Sequence, residues 1–328
     1  VTGNGAAWRP TATAEAIRRR AAMLGELRAF FAARDVMEVE TPLLSAEAAL
    51  DPHLDSLDCE VEAPGLAKRR MYLQTSPELS MKRLLAAGSG SIYQVCKAFR
   101  GGERGRWHNP EFTILEWYRV GWDHHELMRE VASLIETLLA ESRRLEAAAY
   151  ETYGELMKRH GGVDPYGTPT PALRQAVERT SSAEEAAGLH RDDLLSRLFV
   201  ERVEPNLASD RVTVVFDYPA SQAAMARLNA GDPRTAERFE AFVGDIELAN
   251  GYGELSDPAE QRQRLEHDLA CRRKAGRPQP PMPSRFLAAL EAGLPRCSGV
   301  ALGFDRLLGL DLEARQIDEL IAFPFERA

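Results

Sequence analysis

Between Ile92 and Val120 the chain carries its densest set of residues suited to chemistry. Lys97, Arg100, Arg104, Arg106 and His108 fall in or beside a stretch rich in Gly and Asn, a grouping of cationic donors suited to phosphate oxygens. Just after them, alternation over Phe112–Val120 predicts a strand with Phe112, Ile114, Glu116 and Tyr118 on one face. A carboxylate in that partly apolar wall requires a partner, because burying it alone is costly. Taken alone, the same face reads equally well as a solvated edge strand.

A second pair of carboxylates lies farther along. Gly244-Asp245 between alternating apolar runs predicts a two-residue hairpin turn. If Val243 pairs with Ile246, Phe242 faces Glu247 and Ala241 faces Leu248, so Glu240 and Glu247 are neighbours on one face. Two such carboxylates raise each other's pKa, and a divalent cation removes the conflict. Mg²⁺ takes a few carboxylates together with phosphate oxygens. Without a phosphate-binding loop elsewhere, two solvent-facing glutamates would be the simpler reading.

Two further stretches could touch a ligand. Small residues at 299, 301 and 303 in Cys297-Ser-Gly-Val-Ala-Leu-Gly303 allow close approach to a strand, and Arg306 opens a helix after it. In Thr75-Ser76-Pro77-Glu78, Ser76 is a natural N-cap and Pro77 a natural N1, with Glu78 in the first turn.

The elements that must position these groups follow from periodicity. Residues 13–34 form an amphipathic pattern, with Ile17, Ala21, Leu24, Leu27 and Phe31 on its apolar face. A strand over Val36–Pro42 follows. Ile92–Phe99 is a strand, and Asp123–Leu139 a core helix. Residues 140–210 read as short helices (Tyr150–Arg159, Pro171–Arg179, Asp192–Phe199), an insertion without linker composition. The chain has 328 residues, 44% hydrophobic and 28% charged, ordinary for a globular protein. Its net charge of −9 gives no global drive toward nucleic acid, so any phosphate binding is local. No apolar run reaches membrane-spanning length, and Val1 to Pro10 lacks a signal-peptide layout. The four cysteines lack metal-ligand or disulfide spacing, and a cytoplasmic setting is expected.

Phe99-Arg100, Arg106-x-His108-Asn109-Pro110-Glu111-Phe112-Thr113 and Glu116-Trp117-Tyr118 together resemble motif 2 of class II lysyl-tRNA synthetases. The resemblance is closer still to their short paralogues that modify elongation factor P. The helix–strand–Pro pattern at 13–42 resembles motif 1, and Gly299 to Arg306 resembles motif 3. The order of these motifs implies a class II synthetase catalytic core, an α+β fold with a mostly antiparallel sheet flanked by helices. It implies one catalytic domain over 1–328, with the insertion at about 140–210 and no anticodon-binding domain before it.

The implied activity is ATP-dependent activation of a lysine-type amino acid, (R)-β-lysine or lysine, and its transfer to a lysine side chain of elongation factor P. ATP would be held by Arg100, Gly102, His108, Asn109, Phe112, Glu240, Glu247, Leu248, Gly303 and Arg306. Arg100 and Arg306 carry the catalytic charge, and Glu240 and Glu247 hold Mg²⁺. Ser76, Pro77, Glu78, Glu116, Tyr118, Asn250, Tyr252, Glu254 and Ala301 would line the amino-acid pocket. A homodimer is implied, and tRNA is not the expected partner. A truncated synthetase with another acceptor and a non-catalytic paralogue are the rival readings.

Two departures bear on chemistry. The usual Arg-Asn-Glu of motif 2 is Arg100-Gly101-Gly102 here, with Glu103 one place late. Ala301 stands where lysyl-tRNA synthetases usually carry Gly, and one methyl is worth about 1–3 kcal/mol of discrimination. That suits a lysine isomer with a displaced amino group.

Overall fold

The computed structural model describes residues 8–179 and 182–328. The start of the Val1 to Pro10 segment, read above for a leader, lies outside them. Two compact units emerge, one built from the chain up to Gly121 together with Ser256–Ala328, the other from Trp122–Leu255.

In chain order, the first unit opens with α1 (Ala14–Ala32), β1 (Met37–Glu38), β2 (Leu44–Ser45), β3 (Asp58–Ala63), β4 (Leu66–Leu73), α2 (Glu78–Ala86), β5 (Ile92–Phe99) and β6 (Glu111–Val120). The second unit holds α3 (His124–Leu139), β7 (Glu146–Thr152), α4 (Tyr153–Leu156), α5 (Thr170–Val177), α6 (Ala183–Ala187), α7 (Arg191–Leu198), β8 (Arg211–Pro219), β9 (Thr235–Val243) and β10 (Ile246–Gly253). The chain then completes the first unit with α8 (Pro258–Lys274), α9 (Ser284–Gly293), β11 (Cys297–Gly303) and α10 (Phe304–Asp311).

The first unit is organised on β5, β6 and β11, which pair antiparallel, with β1 joining β5 in parallel at the edge. A small antiparallel sheet, in the order β2-β4-β3, lies apart from it. In the second unit β10, β9 and β8 pair antiparallel, and β7 adds to β8 in parallel. Both units are therefore mostly antiparallel sheet with helices, the α+β architecture expected. No helix of the described residues is long and apolar enough to cross a membrane.

Several expectations need correction. On α1 the buried stripe is Ala16, Met23, Leu27, Phe30 and Phe31, while Ile17 is exposed and Ala21 lies outside the core. The helix is turned so that Arg19 reaches Asp311 in a two-pronged ion pair of 2.7 and 3.1 Å and Arg20 reaches Asp305. Large buried rings plus two charge-assisted contacts outweigh one isoleucine. The strand expected over Val36–Pro42 shortens to Met37–Glu38, because only its first residues run alongside β5.

At 140–210, Glu146–Thr152 is a strand, so Tyr150 belongs to β7 and the helix begins at Tyr153. From there the segment is helical. Tyr153, Leu156, Met157, Leu173, Leu194, Leu198 and Phe199 close a core against Val215, Tyr218 and Phe242 of the sheet. In α2, Pro77 and not Ser76 occupies the N-cap, and Ser76 Oγ accepts only a long 3.4 Å bond from the Glu78 N–H.

Candidate active site

The strand register of the first unit builds one surface of the site. Across β5, β6 and β11 run three rows: Ile92–Tyr118–Gly299, Gln94–Glu116–Ala301 and Cys96–Ile114–Gly303. Directly paired residues share a face, so Glu116 and Tyr118 lie beside Ala301 and Gly299. Large polar groups on β6 thus stand next to the small residues of β11.

Glu116 is 2% exposed, and the Tyr118 hydroxyl donates to its Oε1 at 2.6 Å. The edge-strand alternative is thereby excluded. Burial, and then the Glu116 charge, push the Cys96 thiol up to about 12, so it stays protonated.

Glu78 on α2 receives Lys82 Nζ at 2.7 Å. Lys82 is itself 1% exposed, with its ammonium 5.9 Å from the Phe286 ring centroid. Glu78 thus meets an ammonium of its own chain, one helical turn on.

The arginine loop divides its cations. Arg100 lies over the Phe112 ring at 4.9 Å and approaches Thr75 O at 3.5 Å. Its Nη1 stands 3.7 Å from Glu103, the acid displaced by one place. Gly102 sits at φ +76°, where a side chain is strained, and the Gly101 N–H donates to Asp55 O at 2.7 Å. A Cβ at Gly101 would lie 3.3 Å from that same oxygen. Close docking of the loop onto Asp55 accounts for Gly101, and backbone conformation for Gly102.

Arg306 Nη2 and His108 Nε2 are 2.9 Å apart, so motif 3 and the motif 2 loop meet. The guanidinium can only donate, which assigns Nε2 as acceptor and places the imidazole proton on Nδ1. Other members of the loop have structural partners. Arg104 is paired with Asp318 and Glu326, and Arg106 donates to Arg315 O. Lys97 lies 3.5 Å from Glu111.

Asn109 is 3% exposed, and its amide is used at both ends. It donates to Glu111 O at 2.6 Å and accepts from the Phe325 N–H at 3.1 Å. Of the cations grouped in the sequence, Arg100 stays beside Phe112 and Glu103, and His108 meets Arg306. Asn109 tethers the loop.

In the second unit the hairpin turns at Gly244, φ +60°, with Val243 opposite Ile246 and Phe242 opposite Glu247. A bulge after Glu247 brings Ala249, not Leu248, opposite Ala241, and Asn250 opposite Glu240. Glu240 is ringed by donors: Arg238 at 2.6 Å and Asn250 at 3.3 Å on Oε1, the Tyr218 hydroxyl at 2.7 Å on Oε2. Burial pushes its carboxyl up, Arg238 pulls it down and Glu247 pushes it up again. Arg238 is thus the first counterweight to the burial and to the Glu247 charge acting on Glu240. Leu248 is buried at 2% and Tyr252 half-buried. Glu254 is buried at 2%, and its backbone bridges to Ala226.

Sequence reasoning missed the supports. Asp305, 2% exposed, accepts from the Thr113 N–H at 2.6 Å and pairs with Arg20, fixing the start of α10 against β6 and α1. Trp107 packs on Gly309, where a Cβ would fall 2.7 Å from the indole. Arg238 was legible in principle, since it stands two residues from Glu240 on a strand. Nothing local announces Arg20 or Trp107, whose partners lie roughly two hundred or more positions away in the chain.

With this geometry established, comparison with known proteins fixes the family. The model of tRNA synthetases class II (D, K and N) matches residues 6–327, and the chain belongs to that family. It is similar to the elongation factor P–(R)-β-lysine ligase of Vibrio cholerae, 47% identical over 98% of each chain. It is 46% identical to the protein of that name from Edwardsiella ictaluri, covering 98% of this chain and 99% of that one. The corresponding figures for Salmonella arizonae are 44%, 98% and 99%.

Proposed function

We propose that this chain is an ATP-dependent ligase that activates (R)-β-lysine as its adenylate and transfers the acyl group to a lysine side chain of elongation factor P. The observation that carries this reading is identity of 47% across 98% of both chains with a ligase of that name. In the first step a carboxylate oxygen of the amino acid attacks the α-phosphorus of ATP and pyrophosphate leaves. In the second the acceptor amine attacks the acyl carbon, an amide bond forms and AMP leaves.

No side chain is needed as covalent nucleophile. Positioning and charge neutralisation supply the rate. Arg100 and Arg306 neutralise charge at the α-phosphate. His108, oriented by Arg306, contacts the triphosphate tail, while Phe112, Gly102 and Gly303 border the nucleotide; in the second unit the resemblance assigns Leu248 to ATP binding. Glu116, with Tyr118 holding one of its oxygens, takes a substrate ammonium. Ser76, Pro77, Glu78 and Ala301 of the first unit are further proposed amino-acid-binding residues, and the resemblance assigns the same role to Asn250, Tyr252 and Glu254 of the second.

Two carboxylates suit Mg²⁺ better than a metal that needs a protein cage. No set of three or more His, Cys, Asp and Glu side chains able to hold a metal occurs among the described residues. Mg²⁺ completes its shell with water and phosphate oxygens. Glu247 and Oε2 of Glu240 are the proposed ligands, since Oε1 already accepts twice. The ion would neutralise phosphate charge.

A cytoplasmic homodimer is the expected form. The resemblance of α1 and the strand after it to motif 1, the family's dimer element, supports the oligomer. The test is ATP–pyrophosphate exchange with (R)-β-lysine and α-lysine in parallel. Exchange preferring (R)-β-lysine is expected. Absence of exchange with either would defeat the reading and favour a non-catalytic paralogue.

A further inference from the structure

Gln94 lies in the middle of the β5–β6–β11 surface, directly paired with Glu116, which is paired in turn with Ala301. It is 2% exposed, and its Oε1 finds no hydrogen-bond partner. The amide side of the residue is accounted for: the side chains of Gln74 and Gln94 both hydrogen-bond the Cys96 thiol. With its nitrogen directed along β5 to Cys96, Gln94 leaves a bare carbonyl oxygen on the face that carries Glu116. A buried acceptor left unmade is a standing cost to the fold, which a ligand donor removes on binding.

The neighbour selects the donor. A carboxylate or phosphate would be repelled by Glu116, and a hydroxyl brings one proton to a row that offers several acceptor sites. A primary ammonium brings three donors and a charge that Glu116 neutralises. We propose that Gln94 is a substrate-binding residue, its Oε1 accepting a hydrogen bond from an ammonium group of the amino acid beside Glu116. This rests on the lysine-type substrate of the proposed function and adds a residue to its recognition. Because glutamine is neutral, the row carries one negative charge. It balances one ammonium without a second carboxylate that would raise the pKa of Glu116. Ala301, at the other end of the row, limits how far that ammonium can move toward β11.

The test pairs Gln94→Met, which keeps chain length and removes the acceptor, with Gln94→Glu, which keeps an acceptor. Exchange kinetics are measured with (R)-β-lysine, alongside thermal melting of the ligand-free protein. Gln94→Met is expected to raise KM for the amino acid about ten- to hundredfold, the range for a hydrogen bond to a charged group. KM for ATP stays as in the wild type, and ligand-free melting is not lowered. Gln94→Glu, which keeps an acceptor but adds a second carboxylate beside Glu116, is expected to recover the amino-acid KM only in part and better at higher pH.

An unchanged amino-acid KM in Gln94→Met would overturn the assignment. So would equal changes in both substrates' KM with lowered ligand-free melting, which marks a purely structural role. If the wild type itself fails to exchange, the functional reading falls and this one with it. Wild-type exchange with an indifferent Gln94→Met removes the subsite alone.

Discussion

Ala301 stands in register with Glu116, so its methyl borders the carboxylate proposed to hold the substrate's ammonium. Removing it enlarges the pocket where an amino group displaced along the lysine chain would sit. Ala301→Gly is expected to move the ratio of kcat/KM from (R)-β-lysine toward α-lysine by about 1–3 kcal/mol, or roughly five- to two-hundredfold. Competitive exchange assays with the two amino acids measure it, and an unchanged ratio would remove Ala301 from specificity. At this scale the sequence placed Glu116 and Tyr118 on one strand face, as the register and their hydrogen bond bear out. It gave no sign of the internal partners of Arg104, Arg106 and Asn109. Their types suit phosphate, but the structure spends them on Asp318, Glu326 and the backbone of the C-terminal segment.

At the level of elements, α10 is held by the Arg20–Asp305 pair, with Asp305 nearly fully buried. Removing the guanidinium leaves a buried carboxylate without its cationic partner, though the Thr113 N–H still donates to it. Arg20→Met is expected to cost about 3–5 kcal/mol in urea unfolding, and adding Asp305→Leu to recover a large share. Equal loss in the single and double variants would contradict a charge effect.

In the second unit, Glu237 gives a pH signature. Burial would raise its carboxyl, but His124 and Arg227 hold it down at about 2, from an ordinary 4.5. The folded value is depressed, so this stabilisation is present above pH 4.5 and is lost as pH falls from 4.5 toward 2. At about 1.4 kcal/mol per pH unit the contribution is about 3 kcal/mol. Glu237→Gln is expected to lower stability at neutral pH and to flatten the acid limb of an unfolding titration. A limb identical to wild type would count against it. Gly253 belongs to the same cluster, since a Cβ there would run into the Glu237 carboxylate and Arg227.

Strand existence was the most legible feature at this scale, Ile92–Phe99 appearing with the bounds expected. The bulge after Glu247 was not legible, because two-residue alternation carries no sign of an extra residue. The facing of α1 was misread for a related reason. Its orientation is set by Asp305 and Asp311, far along the chain, and not by its own apolar residues alone.

On the scale of the whole molecule, a net charge of −9 gives no long-range attraction to a polyanion such as tRNA. A protein acceptor is consistent with that balance. The motif order in the sequence reached the fold class and the family. The acceptor left no local pattern, because a lysine presented by another protein is recognised by surface shape and not by a short constellation of residues. The measurement that tests the account most directly is the intact mass of purified elongation factor P after incubation with this chain, ATP and (R)-β-lysine, with tRNA as a parallel acceptor. Addition of one β-lysyl group to elongation factor P is expected, dependent on ATP and absent without the enzyme, with no charging of tRNA. Unmodified elongation factor P alongside charged tRNA would contradict it.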